Sequence, residues 1–266
     1  MVETWSCESL LSDSKSEVMD IFGKGVVLLK NSTMSLHEIA DYFGEAYIND
    51  STERFNISED AKILRISNQL DENNKTIGLF SDHDLEWHQD FAHTVGDYHG
   101  TAILGISNTH LAPTIFCDLK KAYDNLDDDL REVVEGVSCQ HRVTDNVYRD
   151  VELTPAMKRL LKMKDYHIDG DYSHAYLKGE IPNRPMVTVH PITKEKSLYL
   201  GPATNLNKPE YFADLIKHCE KYEFSIDWED GDIILFDNLT TMHRRPAFNG
   251  IRELHRIQFN YNKVNI

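Results

Sequence analysis

The chain is short of cysteine, of basic charge and of long apolar runs, and each shortage excludes something. Its four cysteines, Cys7, Cys117, Cys139 and Cys219, are scattered without a C-x-x-C pair. That spacing supports neither a disulfide framework nor a cysteine zinc site, and it fits reduced thiols in a cytoplasmic protein. Lysine and arginine number 28 against 44 aspartates and glutamates, a formal net charge of −16. Such a surface repels phosphate backbones and anionic lipid, so neither nucleic acid nor a membrane is an expected partner. The longest apolar runs, among them Gly25–Leu29 and Ile233–Phe236, fall far short of the roughly 20 residues that span a bilayer. The acidic, polar segment Met1–Glu17 has no basic stretch followed by a small-residue cleavage site, so nothing marks it for export. No G-x-G-x-x-G, P-loop or G-x-S-x-G motif occurs, which removes the common nucleotide cradles and the hydrolase nucleophile elbow.

What is present is enough apolar material for a sizeable core: 41% of 266 residues are hydrophobic and 10% aromatic. No internal repeat or Gly/Ser linker interrupts the chain, and a single domain over residues 1–266 is expected. Helical spacing predicts helices over 36–44, 118–125, 128–136, 154–163 and 208–222. Strand-like runs fall at 25–30, 62–67, 101–107, 114–117, 186–190, 197–200, 224–227, 231–236 and 254–261. Many short strands with helices around them predict a mainly β, α+β sandwich or barrel with helical buttresses. The stretch 141–184, with Gly170, Gly179 and Pro182, reads as a lid over the mouth of such a fold or as a plain surface excursion.

Two clusters carry candidate chemistry. In Trp87-His88-Gln89-Asp90 an imidazole and a carboxylate stand two residues apart. On a strand they project from one face with Cα atoms roughly 6.6 Å apart, close enough to converge on one ion. Alone this pattern is more often a surface His–Asp pair than a ligand pair, and His83 with Asp84, or His93, are competing local choices with poorer geometry. The second cluster follows the apolar strand that ends at Phe236. It comprises Asp237-Asn238, then His243, then Arg252 nine residues on and Arg256 four beyond that. Between Arg244 and Arg256 four arginines face one acid, Glu253. In so acidic a chain this is either a solvated patch or a site for a small dianion, because guanidinium forks bind carboxylates bidentately. Two imidazoles and one carboxylate form the facial triad of non-haem iron, with positions left open for an α-keto acid and O₂.

These segments resemble the taurine dioxygenase/TfdA-type Fe(II)- and 2-oxoglutarate-dependent dioxygenases. Trp87-His88-Gln89-Asp90 resembles the family's W-H-x-D. Phe236-Asp237-Asn238 with His243 resembles its W/F-D-N-x-x-x-x-H, and Arg252 with Arg256 its R-x-x-x-R tail. Thr114, 26 residues after His88, resembles the family threonine that hydrogen-bonds 2-oxoglutarate. Leu111-Ala112-Pro113 replaces the glycines usual before it, and the shorter spacing from His243 to Arg252 implies a tight turn at Asn249-Gly250. Retention of Asp90 is unlike the family's halogenases.

The resemblance implies a double-stranded β-helix, a distorted jelly roll with flanking helices. His88, Asp90 and His243 would bind Fe(II). Arg252, helped by Thr114, would anchor the far carboxylate of 2-oxoglutarate, and Arg256 would meet its near carboxylate or an anionic group of the substrate. Asp237 and Asn238 would fix the turn before His243, His190 would be a core histidine, and His255 would face away from the pocket. The implied reaction consumes O₂ and 2-oxoglutarate, releases succinate and CO₂, and oxidises a C–H bond of a small polar metabolite, most simply by hydroxylation. Rival outcomes are desaturation or demethylation of an amino-acid-derived natural-product intermediate on the same site. Rival classes are a metal hydrolase and a non-catalytic dicarboxylate-binding jelly roll. A homo-oligomer is left open.

Overall fold

A computed structural model describes residues 3–5, 15–49, 55–92, 99–141, 184–200, 204–205 and 211–261. The expected helix over 154–163, His93 and the interior of the expected lid lie outside the described residues. In chain order the elements are β1 (Glu3–Trp5), α1 (Lys15–Phe22), β2 (Val26–Leu29), α2 (Leu36–Phe43), β3 (Glu45–Ala46), β4 (Ile63–Ser67), β5 (Leu85–His88) and β6 (Gly100–Ser107). Then follow β7 (Thr114–Asp118), α3 (Leu119–Asp124), α4 (Asp128–Val134), β8 (Ser138–His141), β9 (Arg184–Pro185), β10 (Val187–Val189) and β11 (Lys196–Leu198). The chain closes with β12 (Thr204–Asn205), α5 (Phe212–Cys219), β13 (Glu223–Ile226), β14 (Ile233–Asp237), β15 (Thr241–Arg245) and β16 (Glu253–Asn260).

The larger sheet runs β1-β2-β14-β6-β16-β3, with β4 also paired to β16. Facing it is a four-stranded sheet, β13-β7-β15-β5. Side chains alternate between the two faces of a strand, and the packing sorts accordingly. Inward residues of both sheets, including Val26, Ile103, Phe116, Ile226, Phe236 and Leu254, make one core between them. The outer face of the large sheet, with Ala102, Ile257 and Phe259, is covered by α1 and α2. The outer face of the small sheet, with Cys117 and Met242, is covered by α3 and α5. The result is the helix-buttressed sandwich that the strand and helix pattern predicts, in the jelly-roll form that the family resemblance implies.

Helix α2 shows how local sequence sets these layers. Ser35 caps it by accepting from the Glu38 N–H at 3.2 Å, while Glu38 accepts from the Ser35 N–H at 2.7 Å. Leu36, Ile39, Ala40 and Phe43 form one buried stripe. The helix stops at Gly44, where a Cβ would come within 2.1 Å of the Asn260 carbonyl oxygen. Helix α1 is not among the sequence expectations; its stripe of Val18, Met19 and Phe22 is wholly buried beside α2. Among the described residues no helix is long and apolar enough to cross a membrane.

Candidate functional site

The small sheet brings the two sequence clusters together. Strand β15 pairs with β5 so that His243 stands directly opposite His88. Their rings lie 4.1 Å apart between centroids. Asp90, just past the end of β5, places Oδ1 3.9 Å from His88 Nε2. One ligand atom from each of His88, Asp90 and His243 lies within 4.8 Å of the others, and no second group of this kind occurs among the described residues. His83 instead faces Asp82 at 3.7 Å.

The donor chemistry suits a divalent cation. His88 Nδ1 meets the Glu86 carbonyl at 2.7 Å, which assigns the ring proton to Nδ1 and leaves the Nε2 lone pair toward Asp90. His243 packs against Phe236 and Phe116, and its buried Nδ1 has no hydrogen-bond partner. Burial, reinforced by His88 and opposed by Asp90, pushes its pKa down to about 3, so the imidazole is neutral and able to donate a lone pair. Burial pushes the Asp90 carboxyl up, but Arg256 and the two histidines outweigh it and hold it below the usual range. The set therefore offers a neutral His243 imidazole, a carboxylate and the His88 Nε2, the donor types an Fe(II) triad requires.

Asp90 is held from three sides. Its backbone N–H donates to Asn238 Oδ1 at 3.0 Å, and Thr101 Oγ1 donates to its Oδ2 at 3.2 Å. Arg256 Nη1 lies 3.3 Å from its Oδ1. Asn238 Nδ2 donates onward to the His99 carbonyl and to Thr101 Oγ1, at 3.0 and 2.9 Å. The neighbouring Asp237 accepts from the Leu239 N–H at 2.8 Å and from Tyr261 Oη at 2.9 Å. Both residues thus fix the turn before β15, and Asn238 also secures the carboxylate. Sequence spacing does not contain that tie, or the ones from Thr101 and Arg256.

Arg252 and Arg256 occupy the same face of one extended segment as Leu254 of the inter-sheet core. Arg252 is buried, with Nε donating to the Thr109 carbonyl at 3.3 Å and Nη2 to the Ala112 carbonyl at 3.1 Å. No carboxylate lies within ion-pair distance of it among the described residues. Burial and then the charge of Arg245, partly offset by Asp230, push its pKa down to about 9, so it remains a cation at neutral pH. Gly250, at φ +108°, makes the tight turn that leads into it. Thr114 begins β7 on the inward face, beside Phe116, and is buried. Arg245, two residues past His243, is a buried cation that sequence reasoning left without a role. His255 pairs with Glu253 at 2.7 Å on the outer face, and His190 is fully buried against Tyr261 and Asp237. Both match expectation.

Residues 2–258 match the model of the "Taurine catabolism dioxygenase TauD, TfdA family". The chain is 27% identical over 176 residues to an (S)-phenoxypropionate/alpha-ketoglutarate-dioxygenase of Sphingobium herbicidovorans, covering 60% of this chain and 56% of that one. It is 30% identical over 155 residues to the alpha-ketoglutarate-dependent 2,4-dichlorophenoxyacetate dioxygenase of Cupriavidus pinatubonensis, covering 54% and 48%. The chain thus spans about half the length of these curated relatives. In fold it is similar to the crystal structure of a putative alpha-ketoglutarate-dependent taurine dioxygenase from Burkholderia xenovorans, with a TM-score of 0.64, 19% identity and coverage of 93% and 80%. Enzymes of this kind use Fe(II), 2-oxoglutarate and O₂, and the His88, Asp90 and His243 donors fit that metal. The match over nearly the whole sequence places the chain in the TauD/TfdA family.

Proposed function

We propose that this chain is an Fe(II)- and 2-oxoglutarate-dependent dioxygenase that oxidises a C–H bond of a small polar molecule, with release of succinate and CO₂. The observation that carries the proposal is a pairing inside one jelly roll. The His88–Asp90–His243 donor set shares the interior with Arg252, a buried cation lacking a carboxylate partner among the described residues. When bound, the iron and the α-keto acid supply the oxidising chemistry; the protein supplies position and charge. His88, Asp90 and His243 hold the metal on one face. Arg252, with Thr114, takes the far carboxylate of 2-oxoglutarate. Arg256 keeps Asp90 ionised and oriented, and it brings positive charge to the place where an anionic substrate would lie. The Phe116 and Phe236 rings around His243 exclude water from that side of the site.

A metal hydrolase has no use for the Arg252 site, and a bare binding protein has no use for the metal triad. The named relatives make small carboxylate-bearing molecules, aryloxy acids among them, the first substrate class to test, with hydroxylation as the primary outcome. The test is succinate formation from 2-oxoglutarate by purified protein, with Fe(II) and O₂ each omitted in turn. Succinate that requires both supports the proposal. Intact 2-oxoglutarate in the presence of bound Fe(II), O₂ and a panel of such acids would contradict it.

A further inference from the structure

We propose that Arg245 is a second cationic anchor for the far carboxylate of the cosubstrate, so that two guanidiniums, not one, select a dicarboxylate. This rests on the dioxygenase proposal above and adds a binding residue to it. Strand β15 presents Thr241, His243 and Arg245 on its inward face. Met242 points into the core beneath the helices, and Arg244 turns outward over Trp87, with an ion pair to Glu223 at 3.1 Å. Arg245 therefore shares the face of the candidate metal ligand His243, with Cα atoms about 6.6 Å apart along the strand.

The surroundings of Arg245 are those of a charge waiting for a counter-charge. The residue is only 6% exposed. Its Nη2 donates to the Ser81 carbonyl at 2.9 Å and to the His83 carbonyl, while its Nη1 is buried without any partner. Asp82 and Asp84 partly offset the cost of burying its charge, yet both act from beyond ion-pair distance. The guanidinium carbons of Arg245 and Arg252 lie 4.6 and 5.8 Å from the centroid of one ring, Phe248, in the turn that joins the two segments. Two like charges held at one half-buried ring repel each other, and burying either without an anion is unfavourable. Arg252 has Nε and Nη2 engaged by the Thr109 and Ala112 carbonyls. A carboxylate offers about four acceptor sites, more than the remaining Arg252 donors alone satisfy well. The free Nη1 of Arg245 supplies the missing donor and the second charge.

The alternative is that Arg245 only ties residues 81–83 to the sheet. Arg245→Gln separates the two roles, because an amide can still donate to those carbonyls but carries no charge. The measurement is anaerobic calorimetry on Mn(II)-loaded protein, titrated with 2-oxoglutarate and with 2-oxopentanoate, which replaces the far carboxylate by a methyl. The expected result is a loss of at least about tenfold in 2-oxoglutarate affinity for Arg245→Gln, with 2-oxopentanoate affinity little changed. Arg245→Lys, which keeps the charge, should restore part of the preference for the dianion and serves if the glutamine variant does not fold. Unchanged 2-oxoglutarate affinity in both variants, or an equal loss for both ligands, overturns the proposal. If Arg252→Ala loses 2-oxoglutarate while Arg245→Gln keeps it, only the second anchor fails. If wild-type Mn(II) protein binds no 2-oxoglutarate, the dioxygenase proposal fails as well.

Discussion

The side-chain carbonyl of Asn238 accepts the backbone N–H of Asp90 at 3.0 Å, across 148 residues of sequence. This contact sets the candidate metal carboxylate against the turn that launches β15, and so against His243. The amide end of the same side chain is spent on His99 and Thr101. The result is a buried junction of β5, β6 and the β14–β15 turn with Asp90 at its centre.

Asn238→Ala leaves the buried Asp90 N–H without its partner, while the His99 carbonyl keeps the backbone N–H of residue 238 at 2.8 Å. The expected cost is about 2–4 kcal/mol of stability, read from urea midpoints. Loosening a ligand's support also weakens metal binding by about 10–100-fold, measured by Mn(II) titration. Native Mn(II) affinity in a folded Asn238→Ala protein would show that the junction does not orient Asp90.

Asp90→Ala and His243→Ala should each abolish tight Fe(II) binding, since each removes one of three donors. His110→Ala, on the exposed end of the turn before β7, should bind Fe(II) as wild type does. Equilibrium dialysis against Fe(II) under argon is the check. Loss in the His110 variant with retention in the His243 variant would reverse the assignment.

The centre of the large sheet was legible because Val26–Leu29 and Ile233–Phe236 are unbroken apolar runs, buried on both faces between the helices and the small sheet. Strand β15 was not legible from residue pattern. Its sequence, Thr-Met-His-Arg-Arg, puts a candidate ligand and a cation where an ordinary strand has apolar side chains. The position of His243 was reached instead through the spacing of His88, Asp90, His243 and Arg252 and the family it resembles. Helix α1 was missed because three buried residues in an otherwise polar terminus make a weak stripe. The ties of Asn238, Thr101 and Arg256 to Asp90 depend on which strands neighbour one another, and local sequence does not encode that.

A second buried network stands behind the site. Tyr261 Oη donates to Asp237 Oδ1 at 2.9 Å and lies 3.0 Å from His190 Nε2, which in turn lies 2.9 Å from Asp237 Oδ2. The Ile192 and Thr193 N–H groups donate to His190 Nδ1, which fixes the ring proton on Nε2. Tyr261→Phe removes one hydrogen bond to a buried carboxylate and should cost about 1–3 kcal/mol by urea denaturation. A midpoint equal to that of wild type would mean the hydroxyl is replaceable there.

Acid sensitivity should arise in part at Asp232, at the start of β14. Burial pushes its carboxyl up, but Lys30 Nζ at 2.6 Å and the Asn31 and Glu229 N–H groups, each at 2.9 Å, outweigh this and hold it below the usual carboxylate range. Because the folded-state pKa is depressed, its stabilisation is complete above the unfolded value of about 4 and is lost as pH falls through the folded value. Asp232→Asn should flatten the fall of the urea midpoint below about pH 4. Parallel pH profiles for the two proteins would remove Asp232 from the acid response.

The most direct test of the iron and 2-oxoglutarate assignment is anaerobic addition of 2-oxoglutarate to the Fe(II)-loaded protein, followed by visible absorption. Wild type should develop a weak, saturable charge-transfer band as the α-keto acid chelates the iron. In Arg252→Ala its half-saturation should rise at least about tenfold, toward a few hundredfold, for loss of a charged bidentate contact of roughly 1.5–3 kcal/mol plus the cost of the unpaired carboxylate. No band from an iron-loaded wild type, or the same half-saturation in Arg252→Ala, would contradict the account.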